Sequence, residues 1–454
     1  MKFRFLLAMA GIAAALPAGT VSAKVDAAKA AELGGAKYTC YGAEKAGSPT
    51  GVAEYTGKWY KTWPGQTKPF GYEPGPYTAE KPLFTITAQN MGQYADKLTD
   101  GQKALFKKYP QAYKMNVYPS HRDFRNADWA CDVAKKNATT AEVIHDGEGI
   151  TGTTGAIPFP FPASGLEAVW NVINPHRAHT EKAICDIADV YANGSIAWGR
   201  NVFKTMNLGN DPEKRGSYQE KINSYFFTSY QLPERDKGFT AVGYQPNDFS
   251  KDATASWQYQ PGIRRVRQAP EVCCDYPVPP AGLRTVDDDY VFNGSPERYT
   301  WKLVGKKEVY LPYNNFKFND PAVKYAQLIK PQTPNPEYIR YELHRFWVIE
   351  GTLKQGHRHI YAKRVLYADE DTWLAMWADN YDGRGQLWRT AFVAYFYSQE
   401  SGAYHRGASI YHDLTSGAYE AGYLTNERGE NWWRINTKLT PEMFSPQAAA
   451  RGGH

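Results

Sequence analysis

The sequence predicts a mainly β protein of the α+β type, built on one large antiparallel sheet with a few covering helices. Aromatic residues make up 15% of the 454 residues, and Gly and Pro add 39 and 29. This composition favours strands and turns over a helical bundle. From about residue 183 onward, short stretches of alternating polarity follow one another with brief connections. Strands joined in this way pair antiparallel.

Composition also excludes several classes of protein. The aromatic content is too high for a disordered chain. After the first 20 positions no apolar stretch is long enough to span a membrane as a helix. The net charge is only +6, and its basic residues are dispersed, so no nucleic-acid partner is expected.

Residues 1–23 are predicted to be a secretory signal peptide. Lys2 and Arg4 precede an apolar run over 6–16, and Val21-Ser22-Ala23 has the small residues of a cleavage site. The run is too short for a membrane anchor, and no Cys follows the cleavage site directly. We therefore expect a periplasmic protein that neither spans a membrane nor carries a lipid anchor.

Residues 24–182 are predicted to form a helical and irregular segment that wraps the core. A short helix is expected before Gly34-Gly35, and the capping box of Thr99 and Gln102 predicts a helix to Tyr109. Ser164 and Glu167 predict another short helix in the same way. The Gly- and Pro-rich stretch 41–82 carries scattered aromatics, which we expect to hold it against the main body.

Residues 183–440 are predicted to form the sheet, and 441–454 a frayed tail. The expected strands span 195–206, 219–231, 239–245, the hairpin 256–267, 299–311, 340–353, 359–368, 372–379 and 386–397. Several of these strands are apolar on both faces, whereas a sheet with one face in water alternates more cleanly. Either the sheet is covered on its outside too, or it encloses an apolar cavity.

The cysteines and histidines point to no metal or other cofactor. Cys40, Cys131, Cys185, Cys273 and Cys274 lack zinc-ligand spacing, and five cysteines leave the disulfide pairing open. His357 and His359 could join His344 as ligands, but Gly356-His357-Arg358 is typical of a turn and basic neighbours would repel a cation. The acidic run 287–289 lacks the pattern of a calcium loop and is expected to be a solvated turn.

No catalytic motif is present, so we do not expect an enzyme. The sequence has no nucleophile elbow, zinc-protease helix or phosphate-binding loop. Glu342 and Glu350 lie on one predicted strand and would be roughly 26 Å apart. That separation is too large for the carboxylate pair of a glycosidase.

Aromatic and charged side chains on the predicted strands are the candidates for binding a ligand. A pocket for an apolar ligand combines apolar and aromatic walls with a few placed polar groups, although cross-strand salt bridges and core packing also explain such residues. The candidate ligand-binding residues are Trp257, Tyr259, Trp301, Arg340, His344, Trp347, Tyr361, Trp373 and Trp377.

Long strings of the sequence resemble a known family. They are EKPLFTITAQN (80–90), YKMNVYPSHR (113–122), FNGSPERYTWKLVGKKE (292–308), RYELHRFWVIE (340–350), HIYAKR (359–364) and DNYDGRGQLWR (379–389). Together they resemble the exported bacterial family named domain of unknown function 1329, which is often described as similar to outer-membrane lipoprotein-sorting proteins. The resemblance covers almost the whole chain after the signal segment.

This resemblance implies an open antiparallel half-barrel around a hydrophobic cavity, with helices as a lid and no agreed catalytic motif. It also implies a periplasmic carrier or chaperone for a lipid or other hydrophobic molecule. The implied partners are an inner-membrane exporter of the resistance-nodulation-division type and an outer-membrane protein. Two alternatives stay open: a polysaccharide-binding or polysaccharide-cleaving protein with an exposed Trp-lined groove, and an adaptor whose interior is filled by its own side chains.

Overall fold

The computed structural model describes residues 24–67, 72–216, 221–251, 255–269, 274–429 and 433–452. The predicted signal peptide and Cys273 lie outside these residues, as does the start of the strand predicted over 219–231. Among the described residues, no helix is both long and apolar enough to cross a membrane.

The described chain is dominated by strands. The helices are α1 (Ala27–Ala31), α2 (Asp100–Lys108), α3 (Asp128–Thr140), α4 (Gly165–Ile173), α5 (Tyr325–Leu328) and α6 (Pro446–Gly452). The strands are β1 (Phe84–Ile86), β2 (Met115–Val117), β3 (Glu142–Ile144), β4 (Gly149–Thr151), β5 (Thr180–Val190), β6 (Ile196–Asn207), β7 (Ile222–Leu232), β8 (Thr240–Pro246), β9 (Ala255–Gln260), β10 (Arg265–Gln268), β11 (Tyr299–Pro312), β12 (Tyr341–Leu353), β13 (Lys363–Asp369), β14 (Ala375–Tyr381), β15 (Leu387–Val393), β16 (Phe396–Ser398), β17 (Ala403–His405), β18 (Ser409–Asp413), β19 (Tyr419–Leu424) and β20 (Trp433–Ile435).

Sixteen of these strands form one sheet that does not close on itself. Its order is β1-β2-β12-β13-β14-β15-β18-β19-β5-β6-β7-β8-β9-β10, with β11 added to β12 and β20 added to β5. The pairs are antiparallel except for one parallel contact between Tyr341 of β12 and Val117 of β2. The predicted fold class, a mainly β protein with a large open sheet, is confirmed.

In the middle of the sheet, strands are apolar on both faces because a helix covers one of the two faces. In β14 every residue from Ala375 to Asn380 is buried, because α2 lies across β14 and β15. The amide of Gly101 in α2 donates to Asp379 Oδ2 at 3.1 Å, and a Cβ on Gly101 would lie 2.2 Å from both Asp379 Oδ1 and Thr390 Oγ1. Only glycine allows the helix to approach the sheet this closely.

The N-terminal segment lies against the same core, as the scattered aromatics indicated. Trp63 is buried and packs edge-on against Phe124 with ring centroids 5.6 Å apart. A disulfide joins Cys40 to Cys131 of α3, which settles one pairing that the sequence left open. Cys185 is a buried free thiol in β5.

The structure differs from the sequence predictions at two helices. Helix α3 was not expected, and its N-cap residue Ala127 makes no side-chain capping hydrogen bond, so the usual sequence signal is missing. The frayed C-terminal end was also a wrong prediction. Residues 446–452 form α6, and Phe444 and Ala449 are buried in a small apolar cluster with Phe227 and Val242.

Candidate functional site

A cavity of about 280 Å³ lies against one face of strands β6 to β9. Thr205 of β6 pairs with Phe226 of β7, and Ala241 of β8 pairs with Gln258 of β9. Because alternate residues of a strand share a face, these positions present one continuous wall. The wall consists of Asn201, Phe203, Thr205, Ser224, Phe226, Thr228, Tyr230, Ala241, Gln245 and Gln258.

Residues 274–299, here called the covering segment, form the opposite side of the cavity. Tyr276, Val278, Tyr290 and Tyr299 contribute aromatic and apolar surface to it. The remaining apolar groups include Phe239, Phe249 and Tyr423. The cavity is thus mainly aromatic, with polar groups at particular points, as is usual for a small-molecule site.

Charged groups hold the covering segment on the sheet. The Ala281 amide donates to Asp189 Oδ2 at 2.7 Å, and Arg284 Nε donates to Glu420 Oε1 at 2.6 Å. Asp189 and Glu420 face each other on β5 and β19. Burial and the neighbouring Glu420 carboxyl raise the pKa of Asp189 to about 8, which favours its protonated form.

The acidic run 287–289 is part of the same attachment, and the solvated turn expected from the sequence is wrong. Asp287 and Asp288 are buried and accept hydrogen bonds from the Arg364 guanidinium at 2.7 and 3.2 Å. Burial alone would raise the pKa of Asp287, but Arg364 and His359 hold it well below its usual range. The contacts of this run with Arg364 therefore anchor the covering segment.

Arg406 and its polar partners form another part of the cavity lining. Arg406 pairs with Asp289 and lies 3.7 Å from the ring centroid of Tyr290. The Tyr290 hydroxyl donates to Glu181 Oε2 at 3.2 Å. Burial would raise the pKa of Glu181, but the hydrogen bond from His405 holds it at about 2, so the carboxylate stays ionised.

Arg177 is one of the cations that line the cavity. It lies 4.4 Å from the ring centroid of Tyr290, and no carboxylate pairs with it among the described residues. Its side chain is only partly buried. Lys204, which also lines the cavity, likewise has no salt bridge to a described carboxylate and lies 4.2 Å from the Phe227 ring centroid. The cavity lining therefore includes cations without a described carboxylate partner.

None of the nine candidate residues from the sequence lines this cavity. Trp257 and Tyr259 come nearest, since both lie on β9 next to Gln258. Their side chains point to the opposite face, where Tyr259 is buried beneath α6 in the same cluster as Phe444. The sequence therefore identified the right strand, β9, but residues on the face that points away from the cavity.

Trp301 and Tyr361 pack behind the covering segment. The Trp301 indole donates to the Pro296 carbonyl at 2.8 Å, and its ring lies 5.0 Å from that of Phe292. The Tyr361 hydroxyl donates to Asp288 Oδ2 at 3.0 Å. Both side chains support the segment from outside the cavity.

The other three tryptophans belong to the core at β12 to β15. Trp347 and Trp373 stack with ring centroids 5.7 Å apart, and the Trp373 indole donates to the Tyr41 carbonyl at 3.2 Å. Trp377 stacks on Phe392 and lies on the face that α2 covers. These rings fill space between the sheet and the N-terminal segment.

Arg340 and His344 meet at one buried carboxylate. Arg340 Nε donates to Glu342 Oε1 at 2.5 Å, and His344 Nε2 lies 2.9 Å from Glu342 Oε2. Burial would raise the pKa of Glu342, but Arg340 and His344 lower it to about 2. The pair is thus a structural ion network of the kind that charged residues on these strands indicated.

Sequence reasoning missed the wall of β6 to β8 because those strands carry fewer tryptophans. Phe226 and Tyr230 lie on one face of the predicted strand 219–231. Phe227 lies between them on the opposite face, so this stretch is aromatic on both sides. That local two-sided pattern was the available signal.

Fold and site together define a β-sheet protein with an aromatic cavity beneath a covering segment. The family model described as "Protein of unknown function (DUF1329)" matches residues 85–450. The chain is also 40% identical over 456 residues to the uncharacterized protein PA3922 of Pseudomonas aeruginosa, covering 99% of both chains. The chain belongs to the DUF1329 family, as its sequence strings indicated.

Two solved structures show a weaker likeness. A DUF1329 family protein from Desulfovibrio piger matches with a TM-score of 0.41 and 13% identity, covering 60% of this chain and 92% of the other. A LolA superfamily protein from Nitrosomonas europaea matches with a TM-score of 0.38 and 11% identity, covering 63% and 98%.

Proposed function

We propose that this protein is a periplasmic, non-enzymatic carrier or chaperone that binds a lipid-like molecule in the cavity under the covering segment. The observation that carries the proposal is the aromatic cavity of about 280 Å³ between β6–β9 and residues 274–299. Burial of apolar surface at about 25 cal/mol per Å² would hold such a ligand without covalent chemistry.

The size of the cavity favours a single acyl chain or a compact hydrophobic molecule. Small-molecule pockets typically measure about 300 to 1,000 Å³, and this cavity lies near the lower end. Arg177 at its edge favours a ligand whose polar head carries negative charge, because the guanidinium has no described carboxylate partner. The ligand class proposed is therefore a single-chain anionic amphiphile.

The covering segment gives a route for loading and release. It is attached through particular polar contacts, including those of Ala281 and Arg284 with Asp189 and Glu420. A partner that breaks these contacts would expose the cavity. Following the family resemblance, we propose a resistance-nodulation-division exporter and an outer-membrane protein as the partners.

The polysaccharide alternative has less support. It requires an exposed groove lined by tryptophans, but among the described tryptophans only Trp198 is exposed, at 38%. The aromatics of this chain lie mostly in the core or around the cavity. The described residues therefore offer no row of rings on which sugars could stack.

Lipid extraction tests the proposal. The protein is purified from its natural compartment without detergent, extracted with organic solvent and examined by mass spectrometry. We expect one lipid class to be enriched over a periplasmic control protein, and a fluorescent fatty acid to bind the extracted protein. If no lipid co-purifies and the probe does not bind, the carrier function is wrong.

A further inference from the structure

A cluster of one histidine and two aspartates, separate from the cavity, lies where β12 runs beside the end of β13. Phe346 of β12 pairs with Asp369 of β13. His344 and Asp371 are each two residues from this pair, so both lie close to Asp369. One ring nitrogen of His344 and one carboxylate oxygen each of Asp369 and Asp371 lie within 4.8 Å of one another. All three side chains are buried.

Two contacts hold the His344 imidazole in place and leave its Nδ1 without a described partner. Its Nε2 is 2.9 Å from a Glu342 carboxylate oxygen, so Nδ1 is the ring nitrogen left for a ligand. The Tyr313 ring stacks on the imidazole at 3.8 Å and holds its plane. His344 Nδ1 has no hydrogen-bond partner among the described residues.

Asp369 presents a second buried acceptor in the same place. Its Oδ2 accepts from Thr372 Oγ1 at 2.7 Å and from the Tyr313 hydroxyl at 3.1 Å. Its Oδ1 has no partner within the described part of the chain. Asp369 Oδ1 and His344 Nδ1 are both buried, and buried polar atoms without partners are rare, so a ligand that binds both of them fits this position.

Asp371 is the third member of the cluster and forms an ion pair with Arg122. Arg122 donates to its two oxygens at 2.7 and 2.8 Å. The Arg122 charge is also shared with Glu370, whose carboxylate lies 3.2 Å from Nη2. Glu370 also pairs with Arg345 and Lys306, whereas Asp369 has no ion pair of its own among the described residues.

We propose that His344 Nδ1, Asp369 Oδ1 and an oxygen of Asp371 bind a divalent transition metal, with Zn²⁺ as the first choice. One imidazole and two carboxylates suit this ion, and a carboxylate that orients a ligating histidine is the usual supporting contact. Ligand atoms of tetrahedral zinc lie about 3.4 Å apart, so modest side-chain rotation closes the site.

The sequence did not indicate this site. It placed His344 with His357 and His359, but His359 instead contacts Asp287 of the covering segment at 3.0 Å. The proposed ligands come from two adjacent strands and the turn after them, with a spacing that matches no short metal motif.

Zinc content and zinc affinity of the full mature chain, purified without a histidine tag, test the proposal. We expect one Zn²⁺ per chain by plasma mass spectrometry, and at least about 10-fold weaker binding in competition with a fluorescent chelator for H344Q and D369N. His176→Gln is the matched control, since His176 is also buried with an unpartnered Nδ1 but belongs to no such cluster among the described residues.

A thermal readout separates metal loss from misfolding. Chelation should lower the melting temperature of the natural protein and of H176Q but leave folded D369N unchanged. A natural protein that binds neither Zn²⁺ nor Mn²⁺ would overturn the proposal, even if the variants fail to fold. Unchanged zinc affinity in D369N would overturn it equally.

Discussion

Filling the cavity should weaken ligand binding strongly without unfolding the protein. Ala241 of β8 lines the cavity and its neighbour Val242 points to the other face, so Ala241→Trp places an indole inside the proposed binding site. At about 30 Å³ per water-sized group, a volume of about 280 Å³ holds roughly nine methylene-sized groups.

The size of the effect follows from the methylenes that the indole displaces. If it excludes about four of them, at about 0.8 kcal/mol each, the ligand loses about 3 kcal/mol. That loss corresponds to roughly a 200-fold weaker dissociation constant. We expect the melting temperature to change little, because the substituted side chain occupies space that the protein's own residues leave open.

The assay is displacement of a fluorescent fatty acid from delipidated protein. Ala255→Trp is the matched control, since Ala255 pairs with Tyr244 and lies on the face of β9 away from the cavity. The control should bind within about threefold of the natural protein, which is less than 1 kcal/mol. Equal binding by A241W and A255W would refute the assignment of the cavity as the site.

Three further changes test the structure around the site. Between pH 3.8 and about 8 the folded protein keeps the Asp189 proton that the unfolded chain releases, so stability falls as pH rises through this window. Asp189→Asn should flatten the fall by up to about 1.4 kcal/mol per pH unit in urea titrations, and an unchanged slope would contradict the raised pKa. Replacing Cys40 and Cys131 by alanine should lower the unfolding free energy by about 4 to 5 kcal/mol, because the disulfide closes a separation of 91 residues; a loss below about 1 kcal/mol would argue against that constraint. Deleting residues 439–454 should expose the cluster around Phe227 and increase binding of a hydrophobic dye, whereas no increase would mean that α6 does not protect this face.

Local signals predicted much of the fold. The capping box of Thr99 and Gln102 forms as expected, with the Thr99 hydroxyl accepting from the Gln102 amide at 3.1 Å. The Pro261-Gly262 turn joins β9 and β10 as expected. Helix α3 escaped notice because Ala127 has no capping side chain, so neighbouring structure determines where that helix begins.

The site was harder to predict because residue type shows burial but not the side on which a residue is buried. Trp257, Gln258 and Tyr259 are consecutive on β9, and the polar residue of the three lines the cavity. The aromatic pair faces α6, whose packing the sequence did not reveal. Only the position of the two covering layers decides which face of a two-sided apolar strand is hollow.

Photo-crosslinking from opposite faces of the strand pair β7 and β8 tests directly whether the ligand lies in the cavity. A benzophenone amino acid is placed at Phe226, in the cavity wall, or at Val242, on the face under α6, and the protein is irradiated in the periplasm before mass spectrometry. If the ligand lies in the cavity, a lipid adduct forms at position 226 and none at 242. Adducts at 242 alone, or no adduct at either position in folded protein, would contradict this location.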